Sequence, residues 1–115
     1  MPPREWRFRI QDILDAIESI RIYTEGSDFT IFERDKRTVD AVVRNLIIIG
    51  EAAARVPDST VRAHPDVPWA EMRAMRNLVV HQYFGASNRI LWDTAQVNLP
   101  SLVVPLQAIL DTNRG

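Results

Sequence analysis

Several residue types are absent or scarce in this 115-residue sequence, and each absence excludes a class of chemistry. There is no cysteine, so disulfide bonds, thiolate nucleophiles and cysteine-based zinc sites are excluded. The four glycines, Gly26, Gly50, Gly85 and Gly115, are isolated from one another, which excludes a glycine-rich phosphate loop. Lys36 is the only lysine, and 14 basic residues against 15 acidic ones leave a formal net charge of −1. The overall charge therefore provides no general attraction to nucleic acid, although a local basic site is compatible with it.

Long hydrophobic runs are also missing. The longest apolar run, Leu46 to Ala54, is interrupted by Gly50 and Glu51 and is far shorter than the roughly 20 residues of a membrane-spanning helix. The first ten residues carry three arginines but no apolar segment like that of a secretory signal. We therefore expect one domain over residues 1–115, located in the cytoplasm.

The apolar residues recur at helical spacing and show no extended alternation typical of strands. Spacings of three and four separate Ile10, Ile13, Leu14, Ile17 and Ile20, which predicts a first helix over about residues 4–23. Similar patterns predict a region over about 28–56 whose main helix starts near residue 34, a short helix over 58–64, and helices over 68–84 and 88–112. These segments predict an all-α, up-down bundle of four main helices plus a short helix.

Individual residues mark where these helices begin, end or break. We expect Gly26 to take the left-handed conformation after the first helix, and Asp58 to cap the short helix. Pro68 suits the first position of the next helix, and Gly85 its end. Pro100 and Pro105 lie inside the last helical region and should kink or break it near residue 99, because proline lacks the backbone donor that a helix interior needs.

The helix around residues 34–56 is apolar over a wide arc. Ile47, Ile48 and Ile49 are consecutive, so they cannot all lie on one narrow stripe. This helix is therefore predicted to be central to the bundle or buried at a subunit contact. Glu51 follows directly, and a carboxylate in such an apolar stretch needs a partner if it is buried; we expect a structural salt bridge or hydrogen bond to an arginine.

Four polar residues gather at the end of the helix predicted over residues 68–84. Asn77 and His81 are four apart and share one face; Arg76 and Tyr83 are seven apart and share another. Arg76 and His81 are separated by roughly 140° around an ideal helix. Bringing all four around one substrate requires a second chain, or a loosened helix end near Gly85. Together with the broad apolar helix, this predicts a homodimer.

The four polar residues together are more informative than any one of them, because a single cation near a helix C-terminus is usually structural. A histidine exchanges protons near neutral pH, and an arginine holds phosphoryl oxygens. These groups meet the two requirements for cleaving a phosphodiester without a metal. His64 and His81 lack metal-ligand spacing with a carboxylate, so we expect neither a metal nor another cofactor.

The chain resembles the HepT-like toxins, a branch of the HEPN domains. Arg76, His81 and Tyr83 match the family signature R-x4-6-H-x-Y. The other matching landmarks follow in order: Ile48-Ile49-Gly50-Glu51-Ala52-Ala53, His64-Pro65, Pro68-Trp69, Met75-Arg76-Asn77, His81-Gln82-Tyr83-Phe84-Gly85, Leu91-Trp92 and Leu99-Pro100. They cover most of the chain. Because the family shares the position of Glu51, the resemblance implies that Arg76 or another residue of the motif is the partner of that carboxylate.

The resemblance implies a bundle of four to five helices that dimerises, with two copies of the motif in a shared cleft. It implies a ribonuclease toxin of a type VII-like toxin–antitoxin pair, with tRNA among the RNA targets. The implied partner is a minimal nucleotidyltransferase antitoxin, which transfers AMP from ATP onto the motif tyrosine, here Tyr83. ATP and Mg²⁺ would be used by that partner alone.

Two functions remain open from the sequence. In the first, the chain cleaves RNA: His81 acts as general acid and base, Arg76 stabilises charge on the phosphate, and Asn77 orients His81 or the phosphate. Glu51 is a supporting residue. In the second, the chain is a non-catalytic nucleotide-binding or regulatory subunit of a nucleotidyltransferase complex, because binding and cleavage both use arginine and histidine. The intact motif favours cleavage.

Overall fold

The computed structural model describes residues 5–83 and 87–112, and for residues 78–83 it describes the backbone alone. Within these ranges the chain is helical and contains no strand, which confirms the predicted all-α class. The helices are α1 Glu5–Thr24, α2 Phe29–Arg34, α3 Lys36–Ala54, α4 Asp58–Ala63, α5 Trp69–Tyr83, α6 Asn88–Asp93 and α7 Val103–Thr112. A π-helical turn, Thr94–Asn98, and a 3₁₀ turn, Pro100–Leu102, connect α6 to α7.

Helix α3 is central to the bundle, as its wide apolar arc predicts. It packs against α1 on one side and α5 on the other, and these two contacts are the most extensive between helices. Ile49 is fully buried between them, whereas Ile47 and Ile48 are only partly covered. The predicted stripe of α1 from Ile10 to Ile20 is buried in the same core.

Asp28 caps the N-terminus of α2, and Asp35, which lies between α2 and α3, caps the N-terminus of α3. The Asp28 carboxylate accepts a hydrogen bond from the Ile31 backbone N–H at 2.8 Å. Asp35 accepts from the Thr38 backbone N–H at 3.2 Å and from its hydroxyl at 2.7 Å. Each cap satisfies a backbone donor that the first helical turn leaves unpaired. The bundle therefore contains two short helices, α2 and α4, beside the four main helical segments.

Two predicted helix starts are wrong by one residue. Pro57, with extended backbone, occupies the cap position of α4, and its carbonyl accepts from the Val61 N–H at 3.0 Å. Asp58 is therefore the first helical residue, and its side chain makes no capping bond. Pro68 likewise precedes α5, and its carbonyl accepts from the Met72 N–H at 3.0 Å.

The last helical region breaks where Pro100 predicts. The Leu99 N–H reaches back five residues to the Thr94 carbonyl at 3.0 Å, and the 3₁₀ turn begins at Pro100. Gly26 has φ +74°, the left-handed conformation expected of it, whereas Gly85 lies outside the described residues. None of the helices in the described ranges is both long and apolar enough to cross a membrane.

Two side-chain hydrogen bonds join the C-terminal helices to opposite ends of α1. The Arg7 guanidinium donates to the Leu110 carbonyl at 2.9 Å. At the other end, the Gln96 amide donates to the Thr24 hydroxyl at 2.9 Å. The region from α6 to α7 therefore runs antiparallel to α1 and covers it, while α3 covers a different side.

Candidate active site at the α3–α5 contact

An ion pair between α3 and α5 is the centre of the candidate site. Arg76 Nη1 lies 3.0 Å from Glu51 Oε2, so the expected partnership of these two residues is confirmed. Both side chains remain substantially accessible, with 43% of Arg76 and 49% of Glu51 exposed. Glu51 is thus half-exposed and not buried, because it lies on a side of α3 that no other described helix covers.

Gly50 is the reason that α5 comes close enough for this pair to form. A Cβ atom at Gly50 would lie 2.9 Å from the backbone nitrogen of Arg76 and 3.0 Å from its Cβ. The two helices therefore touch through their backbones at this point, which requires glycine. The close contact at Gly50 was not predicted; the signal for it in the sequence is an isolated glycine inside a helix, directly before a carboxylate.

The remaining motif residues follow along α5. Asn77 is exposed beside the half-buried Arg76. His81 and Tyr83 lie on the same uninterrupted helix, which ends at Tyr83, but their side chains lie outside the described residues. The helix is continuous from Trp69 to Tyr83, as the predicted grouping of Asn77 with His81 and of Arg76 with Tyr83 requires. Their roles stay predictions.

A second arginine of α5, Arg73, connects this helix to the end of α3 and the start of α4. Arg73 Nε donates to the Ala53 carbonyl at 3.4 Å, and Nη2 lies 4.0 Å from Asp58 Oδ1. The guanidinium thereby satisfies a carbonyl in the last turn of α3 and contacts the first residue of α4. Arg73 and Arg76 are one turn apart, yet only Arg76 is paired with the half-exposed carboxylate.

No three carboxylate or imidazole side chains among the described residues come together in a way that could hold a metal ion. The expectation that the chemistry uses no cofactor stays a prediction, because the His81 side chain lies outside those residues. The described residues provide the guanidinium of Arg76, held by Glu51, and the exposed amide of Asn77 next to it. The same helix continues to His81 and Tyr83.

Comparison with known proteins gives the family. A family model described as "Ribonuclease HepT-like" matches residues 13–109. A Thermococcus cleftensis protein named "Probable ribonuclease HepT" is 45% identical over 93 residues, which cover 81% of this chain and 84% of that protein. A protein of Methanocaldococcus jannaschii named as a candidate RNase is 33% identical over 115 residues, covering 100% of this chain and 95% of that protein. No solved structure matches the chain. The chain therefore belongs to the HepT-like ribonuclease family.

Proposed function

We propose that this chain is the RNA-cleaving toxin of a toxin–antitoxin pair, that it acts as a homodimer, and that cleavage requires no metal ion. The observation that carries the proposal is the Arg76–Glu51 pair, which holds a guanidinium in place while leaving 43% of the arginine side chain exposed. The names of the relatives, which include a ribonuclease and a candidate RNase, support the same substrate class.

The pair leaves Arg76 able to bind a phosphate. A guanidinium has five N–H donors, and the 3.0 Å contact to Glu51 uses one of them. The remaining donors form a planar fork that matches two oxygens of a phosphodiester. Glu51 restricts the arginine to one orientation, so less side-chain entropy is lost when RNA binds. Positive charge fixed in this way stabilises the extra negative charge of a phosphorane-like transition state.

His81 supplies the proton transfers in this proposal. As a base it removes the proton of the ribose 2′-OH; the 2′-oxygen then attacks the adjacent phosphorus, and the bond from phosphorus to the 5′-oxygen breaks. As an acid, an imidazolium returns a proton to that leaving oxygen, so the products are a 2′,3′-cyclic phosphate and a 5′-hydroxyl. Asn77, one turn before His81 on the same face, orients the imidazole or the phosphate.

Control of the toxin takes place at Tyr83 in this proposal. The Tyr83 oxygen attacks the α-phosphorus of ATP bound to the nucleotidyltransferase partner with Mg²⁺, and pyrophosphate leaves. Because Tyr83 shares a helical face with Arg76, the added AMP phosphate pairs with the guanidinium and fills the path of the RNA. The antitoxin therefore silences the toxin by a covalent modification.

The test is RNA cleavage by variants that keep the fold. His81→Ala and Arg76→Ala should each lower cleavage of tRNA or total RNA by at least a hundredfold, since each removes a group used in the transition state. Arg73→Ala is the matched control: it removes an arginine one turn earlier on the same helix and should retain most activity. Circular dichroism checks that every variant is folded.

Two results would overturn the proposal. One is wild-type activity in the His81→Ala or Arg76→Ala protein. The other is a folded wild-type dimer that cleaves no RNA yet alters the activity of the nucleotidyltransferase, which would make the chain a regulatory subunit.

A further inference from the structure

One face of α3 is left uncovered by the other helices that the structure describes, and we call it the outer face. Ile47 and Ile48 lie at its centre, and both are only partly buried. Surface hollows of about 400, 210, 210 and 480 Å³ all include Ile48 in their linings. The outer face consists of Asp40, Val43, Arg44, Ile47, Ile48, Glu51 and Arg55.

The charged residues of the outer face are placed symmetrically on either side of Ile47 and Ile48, and the two residues at equal distances from this pair carry opposite charges. Arg44 and Glu51 each lie three residues from the central isoleucine pair, on opposite sides of it. Asp40 and Arg55 each lie seven residues away, again on opposite sides. In a second copy of α3 that runs antiparallel about the same centre, an acidic residue therefore lies opposite a basic residue of the first copy at both distances. At 100° per residue, the four charged side chains fall within an arc of roughly 60°, and the two isoleucines extend that arc to roughly 100°.

We propose that two copies of the chain pair antiparallel through this face, with a two-fold axis between Ile47 and Ile48. In that register Arg44 of the partner subunit faces Glu51, and Arg55 of the partner subunit faces Asp40. A two-fold interface repeats each contact, so four ion pairs would flank the isoleucines. The inference rests on the proposed homodimer and specifies its interface.

Helix geometry sets a condition on this pairing. With a rise of 1.5 Å per residue, the inner charges lie about 5 Å from the axis and the outer ones about 11 Å. At a crossing angle near +20° the outer positions of the two helices diverge by about 4 Å, which an arginine side chain spans. At −50° they diverge by about 9 Å and the outer pairs would be lost. We therefore expect the shallow crossing, with the isoleucines entering the hollows beside Ile48 as knobs into holes.

The contacts that the charged residues of the outer face make within the chain are compatible with the proposed antiparallel pairing. Neither guanidinium of the face, Arg44 or Arg55, has an ion pair or a side-chain hydrogen bond within the described part of the chain. Asp40 contacts the exposed Lys36 through both carboxylate oxygens, at 3.1 and 3.4 Å, and each oxygen has two lone pairs, so the carboxylate can also accept from a second cation. The face thus presents two arginines that an antiparallel copy would satisfy.

The pairing would also complete the candidate active site. Glu51 already holds Arg76 at 3.0 Å, and Arg44 of the partner subunit would reach the same carboxylate from the other side. Each subunit would then position the arginine of the other through a shared Glu51, and both motifs would lie next to the interface.

Charge reversal at the outer pair tests the register without altering a residue of the proposed catalytic machinery. Asp40→Arg places an arginine opposite Arg55 of the partner subunit, and Arg55→Asp places an aspartate opposite Asp40 of the partner subunit. Because of the two-fold symmetry, each repulsive pair occurs twice in the dimer. Either change should raise the dimer dissociation constant at least tenfold, measured by sedimentation equilibrium. The double variant, Asp40→Arg with Arg55→Asp, restores both attractions and should return to within a few fold of wild type.

Arg62→Asp is the control, since it removes an exposed arginine of α4 away from the outer face and should not change dimerisation. Ile48→Asp tests the centre, where two carboxylates would meet at the axis and should produce monomers with unchanged helix content. A wild-type monomer at micromolar concentration would overturn the interface, and so would a double variant as weak as the single ones. RNA cleavage by the wild type is measured separately, so failure of the interface and failure of the proposed function give different results.

Discussion

Replacing Gly50 with alanine tests the contact that brings Arg76 to Glu51. The new Cβ would lie 2.9 Å from the Arg76 nitrogen, where ordinary contacts lie at 3.4–4 Å, so α3 and α5 must separate by about half an ångström. The opposing atoms belong to the backbone and the first side-chain carbon, and neither can rotate away. Overpacking of this kind costs about 1–3 kcal/mol.

The sign of the stability change makes this substitution informative. Alanine in a helix interior is favoured over glycine by about 1 kcal/mol, so an uncrowded Gly50 would give a more stable variant. The steric cost outweighs that gain by about 1 kcal/mol, which lowers the melting temperature by about 4 °C in a domain of this size. The displacement of α5 also moves Arg76 away from Glu51, and we expect RNA cleavage to fall by about tenfold.

Gly26→Ala provides the matched control. Gly26 has φ +74°, and no atom lies within 4 Å of an added Cβ. Alanine there makes no close contact, and its only cost is about 1 kcal/mol for adopting the left-handed conformation. Thermal melts should show similar losses for the two variants, and only Gly50→Ala should lose activity. A Gly50→Ala protein as stable as wild type would refute the close contact, and one equally active would refute its role in positioning Arg76.

Three further outcomes are expected. Tyr83→Phe should keep appreciable RNA cleavage but gain no AMP mass when incubated with the nucleotidyltransferase, ATP and Mg²⁺; modification of the Phe variant would place the acceptor elsewhere. Cleavage by the wild type should persist in EDTA, and loss that Mg²⁺ restores would contradict a mechanism built on Arg76 and His81 alone. Hydrogen bonds from the Thr38 hydroxyl and backbone N–H hold the pKa of Asp35 below its usual value. That cap stabilises the fold above about pH 4 and is lost as pH falls further. The melting-temperature gap between wild type and Asp35→Ala should therefore shrink in acid, and a constant gap would show that ionisation of Asp35 is irrelevant.

Patterns that depend on one helix at a time were predictable from the sequence. The isoleucine stripe of α1 and the break at Pro100 follow from helical periodicity and from proline's missing donor, and both were confirmed. The Asp58 cap was wrong because Pro57, already in extended backbone, takes the cap position one residue earlier. A difference of one residue in a cap depends on backbone angles that composition does not fix.

Properties that depend on two helices were harder to predict. Chemistry predicted an arginine as the partner of Glu51, and the family resemblance indicated Arg76 or another motif residue. The half-exposure of Glu51 was not predicted, because exposure depends on which side of α3 its neighbours cover. The close contact at Gly50 was missed for the same reason, since the sequence shows a glycine but not the helix that touches it. The positions of the His81 and Tyr83 side chains stay predictions.

The hydrogen bond between Arg7 and Leu110 spans 103 positions of the chain and has a consequence for the order of folding. Contacts between distant positions close long loops, so they form after local helices and slow the approach to the native state. On a ribosome, α1 is made before α3, and α3 is made before α7. The part of α1 that α7 covers therefore stays exposed until α7 has been made, even though α1 already packs against α3 by then.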